Sequence, residues 1–203
     1  MYMRKISILI LVAAVLMSCR GTSSSSSVTI VNDPYDGISW SDVLQLKASL
    51  HVHTVNSTIE LWDKLLTELM PERQVWGTSS DDAHSVGKAG YGWTVFLTTD
   101  RTEGAVKSAM MYGQSFFSTS KIVDTVPKLK VTPTITSIVH DRDAKTLTIS
   151  ATDYDRVEWT SMGQVVATGE TISYASVEGV DKYLRATVYG PGGATFTQPW
   201  AIR

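Results

Sequence analysis

The sequence predicts an α/β unit followed by a small antiparallel β-sandwich. Three observations carry this. Between about residues 39 and 124, strand-like and helical patterns alternate, as they do where helices are layered on a sheet. From about 129 to 203 nearly every segment has the period-2 alternation of a strand, broken by Gly, Asp and Pro turns. Between Lys121 and Pro133 the composition changes from one rich in Trp, Met and His to this strand pattern, which sets a boundary near residue 125.

The ends of the chain set the organisation. Arg4 and Lys5 precede an apolar run from Ile6 to Met17 that only Ser7 interrupts. Such a run suits the core of a signal peptide and is too short to cross a bilayer as a helix. It ends Leu16-Met17-Ser18-Cys19, which resembles a lipobox, where an ordinary secretory leader would end in an Ala-x-Ala-like site. Residues 1–18 are therefore expected to be removed. Cys19 is expected to carry lipid that holds the protein on a membrane of the bacterial cell envelope, the outer membrane in preference to the inner. Cys19 is also the single cysteine, so no disulfide can form within the chain. Gly21-Thr22 and the five serines that follow cannot bury apolar surface, and residues 19–38 read as a flexible tether. A net charge of −2 with no basic cluster argues against nucleic acid as a partner.

The α/β unit, 39–124, opens with a strand-like stretch over Leu46–His53 that follows Trp40–Leu44. Ser57-Thr58-Ile59-Glu60 fits a capping box with Ser57 as N-cap. Ile59, Trp62, Leu66 and Leu69 then recur at helical spacing until Pro71. Gln74–Thr78 and Trp93–Leu97 read as buried strands. Asp100–Glu103 is a second capping box, and the helix it opens ends at Gly113 before a strand over Ser115–Thr119. Beyond the boundary, the unit 125–203 shows alternation at Leu147, Ile149 and Ala151, at Val157 and Trp159, and at Leu184, Ala186 and Val188. Met162-Gly163 and Gly190–Gly193 are turn signals. Many short strands at this spacing suggest an immunoglobulin-like sandwich. His140, among Asp141, Arg142 and Asp143, reads as a surface residue of a turn.

Three of the four histidines fall in two tight motifs, His51-Val52-His53 and Asp82-Ala83-His84. Residues two apart in an extended segment point the same way, so each motif can aim both polar side chains at one point. Imidazole and carboxylate converging at a strand end suit zinc, iron or manganese. A solvated loop explains either motif alone, but both lie at the ends of apolar strand-like runs.

Leu50–Thr54, with Asn56-Ser57 after it, resembles the first motif of the PHP family of metal-dependent phosphoesterases (polymerase and histidinol phosphatase domains). Asp82–Ser85, followed by Gly90-Tyr91-Gly92-Trp93, resembles that family's last metal motif. Ala109–Gly113 and Phe116–Thr119 are similar to its closing helix and strand. The resemblance implies a remnant of a (β/α) barrel with metals at the C-terminal strand ends, and hydrolysis of a phosphorylated small molecule. It implies that His51, His53 and Asp82 share one metal and that His84 reaches a neighbouring one. The chain departs from the pattern between the motifs. Positions 54–81 contain no histidine, and Ser57 is followed by Thr58-Ile59 instead of Asp-Gly. The sequence reads as though an internal segment was removed and its flanks joined. A complete parallel barrel needs about 200 residues or more. One ion could keep four ligands, and hydrolysis is expected to be weak or lost.

Of the acids in the interval, Glu60 reads as a cap and Asp63 as a residue near the solvent side of its helix, both structural. Glu68 and Glu72 have no assigned role, and Lys88 or Arg101 could touch a phosphate. The competing expectation is a non-catalytic surface lipoprotein that binds a partner or glycan through its sandwich. Trp159, Tyr174, Tyr183 and Trp200 would form an aromatic face in that case, although the same residues fit a core.

Overall fold

The computed structural model describes residues 27–48, 58–81, 89–120 and 131–203. Period-2 alternation sets its layers. In the strand Tyr183–Gly190, Leu184, Ala186 and Val188 enter one core and Tyr183 enters another on the opposite face. A sheet buried on both sides needs two covers, and the chain supplies a second sheet for one face and a helix for the other.

In chain order the elements are β1 (Ile30–Asn32), β2 (Leu44–Ala48), α1 (Ile59–Leu69), β3 (Gly92–Thr98), α2 (Glu103–Tyr112) and β4 (Ser115–Ser120). They continue with β5 (Thr134–Asp141), β6 (Thr146–Thr152), β7 (Arg156–Ser161), β8 (Gln164–Thr168), β9 (Thr171–Ser173), β10 (Tyr183–Gly190), β11 (Gly193–Thr197) and β12 (Trp200–Ile202). The large sheet runs β1-β12-β10-β11-β4-β3-β2, with β7 and then β8 on the other edge of β10. The small sheet is β5-β6-β9. Between the sheets lie Trp159, Trp200, Leu184, Val188, Ile135, Leu147 and Ile149, all essentially inaccessible. On the opposite face Trp62, Leu66 and Met70 of the α1 region pack on Phe117, Phe196 and Ala201. Each such large side chain contributes roughly 1.5–3 kcal/mol by leaving water.

Every strand pairing among the described residues is antiparallel. This corrects the expected α/β fold: the described residues are mostly β, and among them there is no barrel remnant. The physical reason is cover. A parallel sheet needs helices on both faces, and the described residues hold two helices, only one of which packs broadly. The sheet also runs across residue 125, because β4 pairs with β11 from Phe116↔Thr197 to Ser120↔Gly193.

Several local expectations shift. Gln74–Thr78 is not a strand. Its main chain is held by a side chain: Gln198 accepts from the Gly77 N–H at 2.8 Å and donates to the Gly77 carbonyl at 2.7 Å. The N-cap of α1 is Thr58, whose hydroxyl accepts from the Leu61 N–H at 3.2 Å. The N-cap of α2 is Thr102, and Asp100 instead accepts from the Thr102 N–H.

Two residues that read as solvent-facing are interior. Asp63 sits under α1 and receives Arg185 through two bonds, Nε to Oδ1 at 2.7 Å and Nη2 to Oδ2 at 2.6 Å. Tyr183 donates to the same carboxylate at 3.0 Å, and Arg185 also donates to Thr187 at 2.8 Å. Burial, and then the Asp63 charge, push the Tyr183 phenol up to about 12. His140 lies at the end of β5, not in a turn; its Nδ1 is 2.8 Å from Asp33 Oδ2 and its Nε2 is 3.2 Å from the Tyr174 hydroxyl. Asp33 Oδ1 also accepts from the Tyr35 N–H at 2.9 Å and from Trp200 Nε1 at 2.8 Å. Neither pairing is local, which is why polar neighbours in the sequence misplace both residues.

Asp63→Ala leaves Arg185 charged and buried without its partner. It should cost about 3–5 kcal/mol, read as a fall in the chemical denaturation midpoint. Replacing Asp63 and Arg185 together with Leu and Met should recover most of that loss.

Candidate functional site

The sequence-predicted ligands His51, His53, Asp82 and His84 lie outside the described residues, as do Cys19 and Lys88. The residues that flank the ligand segments are described, and they meet at one end of the large sheet. β2 ends at Ala48, which faces Thr94 near the start of β3. Asp81 accepts from the Gly90 N–H at 2.7 Å and from the Gly92 N–H, so the chain entering 82–88 and the chain leaving it are tied together at the first residue of β3. Ser79 is fixed beside them, its N–H donating to the Thr94 hydroxyl at 3.1 Å.

Gly92 is needed for this approach. A Cβ there would collide with the Ser79 hydroxyl and the Ser80 carbonyl. Gly90 has φ +93°, in the left-handed region where glycine carries no steric penalty.

A cleft of about 470 Å3 opens beside this end, between α1, the segment 75–80 and β4. Its floor is apolar, formed by Trp62, Leu65, Val75 and Phe117, and Thr58, Ser79 and Thr119 stand on its rim. The end also carries a cation, Lys47, whose Nζ lies 3.5 Å from the centre of the Trp93 ring.

The remaining sequence candidates are dispersed. Glu60 is exposed, and the Thr58 hydroxyl bonded to its carboxyl holds it below the usual carboxylate range. Lys64 faces Glu68 at 4.0 Å and Arg203 pairs with Glu72 at 2.8 Å on the surface. Arg101 is exposed at the start of α2. Among the described residues no group of three or more His, Cys, Asp or Glu could hold a metal ion. Trp159, Tyr174, Tyr183 and Trp200 are all buried, so they form core and no aromatic face. The chain is matched by no protein-family model, no curated protein and no solved structure.

Sequence reasoning missed Asp81. Its neighbour Asp82 fits a ligand motif, while Asp81 acts through main-chain amides that no side-chain pattern reveals. Asp81→Ala should free the Gly90 and Gly92 amides at a cost of about 1–3 kcal/mol. Faster hydrogen exchange at those two amides, with the amides of β10 unchanged, is the expected result.

Proposed function

We propose that the protein is an envelope lipoprotein, anchored through Cys19, that binds a divalent metal through His51, His53, Asp82 and His84. The observation that supports this reading is the convergence of the flanking residues: Ala48 on Thr94, and Asp81 on Gly92, at one end of the sheet. Three imidazoles and one carboxylate form a nitrogen and oxygen set that suits zinc, manganese or iron. When bound, such an ion lowers the pKa of a coordinated water and neutralises charge on a phosphoryl oxygen. The chain's own residues would hold the ion and leave the neighbouring cleft open to a phosphorylated small molecule.

Binding is favoured over rapid turnover. The residues 54–81 supply no further histidine for a second ion, and the antiparallel frame does not provide the strand ends of a barrel. The protein is therefore read as a metal-binding surface lipoprotein in which phosphate-ester hydrolysis is weak or lost.

Metal analysis of the purified chain should find about one ion per chain, and His51→Ala or His84→Ala should lower occupancy at least tenfold. Turnover of p-nitrophenyl phosphate with added manganese or zinc should be slow and should vanish in His51→Ala. A chain that retains no metal overturns the reading. The anchor is checked separately: Cys19→Ala should move the protein from the membrane fraction to the soluble fraction.

A further inference from the structure

The segment 75–79 crosses the α1-side face of the large sheet without pairing to a strand, yet its main chain is bonded in the rhythm of one. Both polar groups of Gly77 meet the Gln198 side chain, at 2.8 and 2.7 Å, and both of Ser79 meet the Thr94 hydroxyl, at 3.1 and 3.3 Å. Gln198 and Thr94 are fully buried. In an extended chain the N–H and C=O of one residue point the same way, and those of the next residue point the opposite way. The main-chain groups of Trp76 and Thr78 accordingly make no hydrogen bond among the described residues. Two buried side chains take the place of a neighbouring strand on the inner edge, and the outer edge is open. Thr78 is exposed there.

This open edge runs along the cleft of about 470 Å3 between α1 and the segment 75–80. Apolar side chains stand on both sides of it. Leu61 and Leu65 of α1 are 42% and 37% exposed. A Cβ at Gly77 would strike the Trp62 and Phe117 rings, so the odd positions aim toward α1. Trp76 turns toward α2 instead. Its Nε1 donates to the Met111 carbonyl at 3.0 Å, its ring covers Gly113, and Met111 is 72% exposed.

Charge and hydrogen bonding together select the occupant. No Asp, Glu, Lys, Arg or His lines the cleft, so a charged group covered there would lose water and gain no counter-charge. A small aromatic molecule would use the apolar floor and none of the four main-chain groups. Those groups, two N–H and two C=O on residues about 7 Å apart, are complemented in full by the main chain of another extended strand. Side chains of such a strand would alternate between Leu61 and Leu65 on one side and Trp76 and Met111 on the other.

We infer that the outer edge of residues 76–78 receives an extended, uncharged peptide segment of a partner protein, which adds as a strand and places apolar side chains in the cleft. The site uses neither the proposed metal ligands nor an ion. A bound peptide fills the cleft that a phosphorylated small molecule would otherwise enter, so the two compete.

The test is selection of random peptides displayed on phage against the full chain, followed by calorimetry with the synthetic peptides so obtained. They should share apolar residues at alternate positions and bind with Kd below about 100 μM, equally well when a chelator is present. Methylating the peptide's main-chain nitrogens one at a time should abolish binding at alternate positions only. Thr78→Pro removes one N–H of the edge, and Leu65→Glu puts a charge at an exposed position beside the cleft. Each should weaken binding about tenfold or more, and Leu65→Glu should leave the melting temperature unchanged. The proposal is overturned if no selected peptide binds below about 1 mM, if Thr78→Pro and Leu65→Glu both bind like the parent, or if every methylated peptide still binds. It is equally overturned if indole alone binds as tightly as the peptides, since the main-chain edge would then be unused. A dimer in sedimentation that Leu65→Glu dissociates would make a second copy of the chain the occupant and also overturn it.

Discussion

The pairing of β4 with β11 is the constraint from which the rest of the architecture follows. It joins the strands that precede residue 125 to those that come after it, through five registered residue pairs and a buried hydroxyl contact between Ser118 and Thr195 at 2.8 Å. Without it, β2, β3 and β4 would be a three-stranded sheet cut off from the rest of the large sheet and from the β5-β6-β9 layer that covers it. With it, β3 and β2 extend a sheet already covered by the β5-β6-β9 layer. Val95, Leu97 and Phe116 enter the same core as Trp159 and Trp200. The sheet end to which both histidine segments lead is thus positioned by residues more than 70 positions away in the chain.

Three buried polar residues fasten what the ladders leave loose. Asp63 holds α1 through Arg185, Gln198 holds the segment around Gly77, and Asp33 collects Tyr35, Trp200 and His140. Asp33 and Gln198 sit where regular pairing stops, and Asp63 lies within α1. Gln198 precedes Pro199, which has no N–H to give, at the break between β11 and β12. Its own N–H is taken by the Tyr35 hydroxyl at 2.7 Å. These contacts are costly to break singly, since removing one partner leaves the others without water or protein to replace it. They make the junctions specific as well as stable.

The sequence was most legible where structure is local. Met162-Gly163 has positive φ at both positions, +50° and +72°, and joins β7 to β8 in a two-residue hairpin. Gly113 ends α2 in the left-handed conformation. The alternation marks side chains of the inter-sheet core at Leu147 and Ile149, at Val157 and Trp159, and at Leu184, Ala186 and Val188, but in β10 it misses Tyr183, Arg185 and Thr187, which are buried on the other face. Strand direction was not legible, because Ser115–Thr119 carries the same pattern in a parallel or an antiparallel sheet. Nor were the buried ion pairs. Asp63 and Arg185 are 122 residues apart, and His140 and Asp33 are 107 apart. The histidine motifs at the candidate site were legible as residue types with a spacing. The sequence did not reveal the Asp81 tie, since it depends on where a side chain meets main-chain amides of another segment.

The seam between β1 and β12 has a mechanical consequence. Thr29 and Arg203 exchange two main-chain hydrogen bonds, at 2.6 and 2.9 Å, and Ile30 faces Ile202. Tension applied to the chain from the N-terminal side of Thr29 would load these bonds first and peel them in succession. Peeling would stop at Asp33, whose carboxylate is gripped from three directions. The few residues released before that stop would lengthen the leash by roughly 14 Å, giving the protein a short extensible reserve that leaves both cores intact.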